Sequence, residues 1–148
     1  MLAHLWFFYA LGAAMFWGIG YVISEKLLRS SFEPAFLMLF AGLVTLPCYF
    51  LLAYFMGNIK PGIESIIADK TNLFYLLVAS VTIIGGNFLI LMAVAEKNAT
   101  LAALVEISYP LFTFIFAWLI LKDVQLTWAT AAGAVLILCG ISVIIAKS

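Results

Sequence analysis

Five long apolar runs divide the chain, and short polar segments separate them. A helix that crosses a bilayer needs about 20 apolar residues. The charge-free stretches predict spans at Leu5–Ser24, Pro34–Gly57, Leu73–Ala95, Ala99–Leu121 and Val124–Ala146. All are expected to be α-helices, because lipid offers backbone groups no hydrogen-bond partner. Only the fourth run is interrupted by a charge, Glu106. Ser30, Ser31 and Glu33 ahead of Pro34 read as a helix start. The links Glu96-Lys97-Asn98 and Lys122-Asp123 are so short that spans three, four and five are expected to pack as antiparallel neighbours. In the one long link, Asn58 to Asn72, Pro61-Gly62 is read as a break, after which Ile63, Ile66 and Ile67 fall on one helical face. That segment fits either a short interfacial helix or an ordinary loop.

Composition narrows the class. The 148 residues are 67% hydrophobic and 9% charged, with a mean hydropathy of +1.23. A soluble domain of this size has too little interior for so much apolar surface. The whole chain is therefore read as one transmembrane domain, residues 1–148, of an all-α membrane protein that contacts the lipid bilayer. The net charge is zero, which leaves no basic patch for nucleic acid. Cys48 and Cys139 lie inside apolar runs, so neither a disulfide framework nor a metal site is expected. The first residues lack a basic segment and run straight into a full-length span, which argues against a cleaved signal peptide.

Aromatic and basic residues bear on topology. Trp6, Tyr9, Tyr54, Tyr75, Trp118 and Trp128 stand at span ends that fall on one side when five spans alternate. This is the placement of an interfacial aromatic belt. Basic residues give no such bias. Lys60, Lys70 and Lys122 lie on the N-terminal side, and Lys26, Arg29, Lys97 and Lys147 on the other. Three against four leaves orientation undetermined by the positive-inside rule. Two readings fit: one orientation set by weak cues, or insertion both ways with head-to-tail pairing.

The candidate chemistry centres on Glu106. A carboxylate within a span is costly and calls for a functional reason. At about 1.5 Å per residue it lies about 10 Å into its span, a few Å from the midplane of an about 30 Å core. Ala99, Ala102, Ala103, Glu106, Tyr109, Pro110, Thr113 and Ala117 share one face by their spacing of three and four. Pro110 removes a backbone hydrogen bond and predicts a kink near Glu106. Tyr109 and Thr113 fit either a cavity wall or interhelical packing. In span one, Ala14, Trp17, Tyr21, Ser24 and Glu25 share a face. Trp17 and Tyr21 fit either ring stacking on a substrate or packing, and Glu25, beside Lys26, reads as a solvated interfacial charge. Asn87 in span three is either a helix–helix clasp or a substrate donor. Pro47, with Thr45 nearby, predicts a bend or hinge in span two. Gly133 and Gly140 are seven residues apart on one face of span five, which suits close helix packing or dimer contact. The Asn98-Ala99-Thr100 sequon sits in a tight turn at a membrane boundary and is discounted as a glycosylation site, and His4 reads as an interfacial residue.

Spans three to five resemble the second part of an EamA-type repeat of the drug/metabolite transporter superfamily. The resemblance is carried by Ala99, Leu101-Ala102-Ala103-Leu104, Tyr109-Pro110-Leu111-Phe112-Thr113, Gly133-Ala134 and Gly140. Phe16-Trp17-Gly18 in span one adds to it. Two departures stand out. Phe40-Ala41-Gly42 occupies the region of span two where many members carry an arginine, and Lys122-Asp123 stands where many have Gly-Glu. Many members contain two repeats, and this chain holds one. The resemblance implies that another copy supplies the missing half. Paired inverted repeats place a substrate site at their interface near the midplane, an arrangement that an antiparallel homodimer reproduces; a parallel dimer and a heterodimer with another partner are the alternatives.

These observations lead to a secondary transporter of small metabolites or drugs in the cytoplasmic (inner) membrane, with a small-molecule substrate and no cofactor. An exporter or exchanger is expected. The rival reading is a non-transporting structural or accessory subunit, against which Glu106 speaks. An intramembrane enzyme would need a nucleophile with its base, or clustered metal ligands, and the chain has a single terminal histidine. A channel would need a ring of carbonyls or charges, and none is evident.

Overall fold

The computed structural model describes residues 5–122 and 127–147. Every regular element in them is helical: α1 (Leu5–Arg29), α2 (Pro34–Phe55), α3 (Ile59–Ala68), α4 (Lys70–Glu96), α5 (Ala99–Glu106), α6 (Tyr109–Leu121) and α7 (Trp128–Lys147). Four stretches are long and apolar enough to cross a membrane: Leu5–Arg29, Pro34–Phe55, Lys70–Glu96 and Ala99–Leu121. A fifth apolar helix, Trp128–Ile144, is shorter. The predicted start of span five, at Val124, lies outside the described residues, as does His4.

Three differences from the sequence expectations have local causes. First, α1 continues past Ser24 to Arg29, because Glu25 and Arg29 pair at i,i+4 on its last turn. It then closes through a Schellman-type turn. Ser31 donates to the Leu28 carbonyl and Phe32 to the Leu27 carbonyl, with Ser31 in the left-handed region at φ 74°. Second, α4 starts at Lys70 rather than Leu73. Its N-cap Asp69 accepts the Thr71 amide at 2.8 Å. That bond favours the charged carboxylate and holds the pKa of Asp69 below the usual carboxylate range. Third, the long link is helical, and Pro61-Gly62 does not break it. Pro61 falls in the first turn of α3, where its missing amide proton has no intrahelical role. Asn72 then ties α3 to the start of α4, donating to the Ser65 carbonyl and hydroxyl at 3.1 Å each.

Gly57 ends α2 in a second Schellman-type turn, in which its φ of +68° calls for a residue without a Cβ. Pro47 lies inside an uninterrupted α2. Upstream of it, Thr45 donates back to the Gly42 carbonyl.

α4 is the organising element. It packs against α1, α2, α3 and α5, and α1 and α5 also meet each other. The core therefore sits at the α1–α4–α5 junction, where Tyr21, Val94, Ala99 and Ala102 are buried and Leu28, Ile90 and Ala103 pack around them. Val94 is 2% exposed. The methyl groups of Ala99 and Ala102 let α5 lie close to its neighbours, the role small residues play between membrane helices. α7 reaches the rest of the bundle through α5. Trp6, Tyr9, Tyr54, Tyr75, Trp118 and Trp128 are all exposed, with Trp128 at 93%.

Candidate functional site

The site forms where the fourth span is cut in two. α5 begins at Ala99 and ends at Glu106, and α6 resumes at Tyr109. Asn98 starts α5 from extended backbone, its side chain accepting the Leu101 amide at 2.8 Å. The break follows from Pro110. An amide at that position would donate to the Glu106 carbonyl four residues back, and proline has none. The chain turns instead through Ile107 and Ser108. Ser108 donates to the Val105 carbonyl, and Leu111 donates to the Ser108 carbonyl at 3.0 Å. The carboxylate of Glu106 is thus held at the end of a two-turn helix, beside the break in the span.

Its partner comes from α1. The Tyr21 hydroxyl donates to Glu106 Oε2 at 2.6 Å, across 85 residues of sequence. Tyr21 is 9% exposed, and its ring lies 5.8 Å from that of Trp17 at 40°. Glu106 also borders an open groove of about 700 Å³ between α4, α5 and α7. Gly86, Leu89, Ile90 and Ala93 form the α4 wall. Leu101, Ala102, Val105 and Glu106 form the α5 wall, Ser108 and Tyr109 the side at the break, and Ile144 reaches in from α7. Glu96 and Lys97 stand at one end. The lining is mostly apolar, with few polar groups, as in small-molecule pockets of this size.

Of the sequence-predicted site residues, Glu106 and Tyr109 border the groove, and Tyr21 is bonded to Glu106. Trp17 stacks behind Tyr21 without reaching the groove. Asn87 is half-buried on α4 beside groove-lining Gly86, and Glu106 bonds Tyr21 rather than Asn87. Thr113 donates to the Tyr109 carbonyl of its own helix at 3.0 Å and lies off the groove. Among the described residues, a Cβ built at Gly133 or Gly140 meets no atom within 4 Å.

One residue read as a solvated charge is placed differently. Glu25 Oε2 accepts the Ala99 amide at 2.7 Å, and Oε1 pairs with Arg29. A carboxylate at a helix N-terminus meets both an unpaired amide and the positive end of the helix dipole. The available signal was its i,i+4 spacing from Tyr21, which puts both on the α5 side of α1. Among the described residues, no three His, Cys, Asp or Glu side chains are grouped so as to hold a metal ion.

The EamA-like transporter family matches the chain over residues 4–146, nearly its whole length. The chain belongs to that family. It carries a single EamA-like domain of the drug/metabolite transporter superfamily, whose members are transporters rather than enzymes. The EamA domain and its apolar helices make it a multi-pass membrane protein. No curated protein and no solved structure matches it. Within this EamA domain, the groove brings Glu106, Tyr109 and open space together, and Tyr21 of α1 is bonded to Glu106.

Proposed function

We propose that this EamA protein is a secondary transporter, an exporter or exchanger of small metabolites or drugs, with Glu106 as its substrate-binding or coupling group. Each copy spans the cytoplasmic membrane five times, α7 being the fifth span, and two copies pair antiparallel. The observation that carries the reading is the position of Glu106: a half-buried carboxylate, beside a helix break, on the wall of a groove of about 700 Å³. A carboxylate placed there can bind and release a proton, or take a cationic substrate directly, as the groove changes access. In this reading Tyr109, which borders the groove on the far side of the break, contacts the same substrate, and Pro110 serves as the kink or hinge. Trp17, Asn87 and Thr113 lie outside the groove of one copy. A role in binding for them requires the second copy or a changed α6 position, and Pro47 offers a hinge in α2. The groove is open along one side, and a single repeat lacks the half that would close it. The even spread of basic residues suits insertion in both orientations. Gly133 and Gly140 leave open space on α7 for close approach by the partner copy.

The test uses proteoliposomes loaded with a pH-sensitive dye and challenged with panels of small metabolites and drugs. A compound that moves protons through the unaltered protein is then tried on Glu106→Gln, which keeps the side-chain shape without an acidic proton. The expected result is a folded, assembled variant whose transport, or its pH dependence, is lost. Unchanged uptake with an unchanged pH profile would return Glu106 to a structural role. The antiparallel arrangement is checked separately with reporters fused to the C-terminus, expected to score on both sides of the membrane. Activity confined to one side would exclude it.

A further inference from the structure

α5 is held at both ends by one turn of α1. Tyr21 and Glu25 are four residues apart, about 6 Å along the helix axis. They reach in opposite directions along α5, Glu25 to the Ala99 amide at its first residue and Tyr21 to the Glu106 carboxylate at its last. Between these ties lie the buried methyl groups of Ala99 and Ala102, with Val94 of α4 packed beside them. The Glu25 carboxylate has no slack, since one oxygen takes the Ala99 amide and the other takes Arg29. Its side chain is 18% exposed, against 73% for Arg29. The solvent-facing partner thus steadies the inward-facing one. Past the break the picture changes. α6 has no buried residue, and its threonine bonds back onto its own backbone rather than across to a neighbour.

We propose that Glu25 is a positioning residue and that α1, α4 and α5 move as one body, while α6 is the half that swings, with Ile107–Ser108 as pivot. Glu106 is then on the fixed side of the pivot and Tyr109 on the moving side, so the swing changes the distance between two groups that border the same groove. Glu25 acts on Glu106 at a distance. By anchoring the first amide of a two-turn helix, it keeps the last residue of that helix within reach of the Tyr21 hydroxyl. The mechanical part stands without reference to cargo. Its consequence for Glu106 rests on the coupling role proposed above.

The test is distance measurement by double electron–electron resonance on the full chain in phosphatidylcholine–phosphatidylglycerol nanodiscs, with Cys48 and Cys139 changed to Ser. Nitroxide pairs are placed through Met15→Cys with Thr100→Cys, and Met15→Cys with Ile120→Cys, all at exposed sites. Labelled chains are diluted among unlabelled ones, so only distances within one copy are read. The pair reporting on α5 is expected to give one narrow distribution, and the pair reporting on α6 a broader one. Glu25→Ala should cost the α5 pair its single narrow peak. Glu25→Gln should retain it, because the amide oxygen still accepts from Ala99. Tyr21→Phe added to Glu25→Ala should broaden the α5 pair further. An α5 distribution as broad as that of α6 in the unaltered chain, or one left narrow by Glu25→Ala, would overturn the proposal. Should Glu25→Ala not fold, the comparison of the two pairs in the unaltered chain decides alone. None of these distances depends on transport, whose failure is read separately in Glu106→Gln.

Discussion

The α1–α4–α5 junction and the outer helices use the same kinds of residues to different ends. At the junction, apolar atoms meet protein, as with Val94, Ala99 and Ala102, and the polar contacts cross between helices. Along α2 and α6 the apolar side chains are turned outward. Phe55, for example, is 80% exposed, and the only buried residue of α2 is Pro34, at its first turn. In water this outer surface would be a fault, whereas in lipid it is neutral, because hydrocarbon tails are as apolar as leucine. The lesson is that hydropathy identifies what enters the membrane, while small residues and paired polar groups decide what packs once inside it.

The largest effect expected from this contrast is steric. Ala102→Leu places three extra carbons against α1 and α4, and overpacking of this kind costs about 1–3 kcal/mol. Ala132→Leu on α7, at an exposed position, should leave the stability of a single copy unchanged. Unfolding of both variants in mixed detergent would measure the difference, and equal loss would erase the distinction between the two regions. Gly133→Leu and Gly140→Leu sharpen it from the other side. A Cβ added at either position meets no atom within 4 Å among the described residues, so monomer stability should hold while the assembled size by light scattering shifts towards monomer. Leu136→Ala on the same helix should do less. Normal size in both glycine variants would remove α7 from the interface.

The smallest effect concerns Asp69, outside the spans. Its pKa is depressed when folded, because the carboxylate accepts the Thr71 amide. The stability it adds is therefore present above the unfolded pKa of about 3.9 and is lost as pH falls through the lower folded value. Asp69→Asn keeps a capping oxygen and should flatten that acid limb of the stability curve slightly, with no change at pH 7. A steeper limb in the variant would contradict the assignment.

Much of this was legible from residue order. Apolar runs located the four long spans, and Pro110 announced a defect beside Glu106. Spacing also set Tyr21 and Glu25 on one face of α1. What spacing could not supply was the partner of each. That depends on how α1 and α5 are rotated about their axes, a choice settled by the alanine methyls between them and by contacts 74 and 85 residues away in sequence. Glu25 next to Lys26 looks like a surface charge until the amide of Ala99 is brought to it. α3 was ambiguous for another reason. Ten residues give too few turns for periodicity to separate a helix from a loop, and the clasp by Asn72 lies outside the segment itself. Gly133 and Gly140 show the converse. Their spacing describes a smooth strip without saying whose surface it fits.

The long sequence separation of the two ties orders the biogenesis of the protein. Tyr21 and Glu25 enter the bilayer with the first helix, but their partners, Ala99 and Glu106, emerge only after two further spans have been made. Until then, among the described residues, no side-chain hydrogen bond ties α1 to the later helices, and α1 and α4 are left with apolar packing alone. Closing so long a loop is slow relative to local helix formation. The arrival of α5 therefore completes the buried cluster and supplies both cross-helix ties at once. A nascent chain that stalls before residue 99 lacks both ties and the two α5 alanines of the buried cluster.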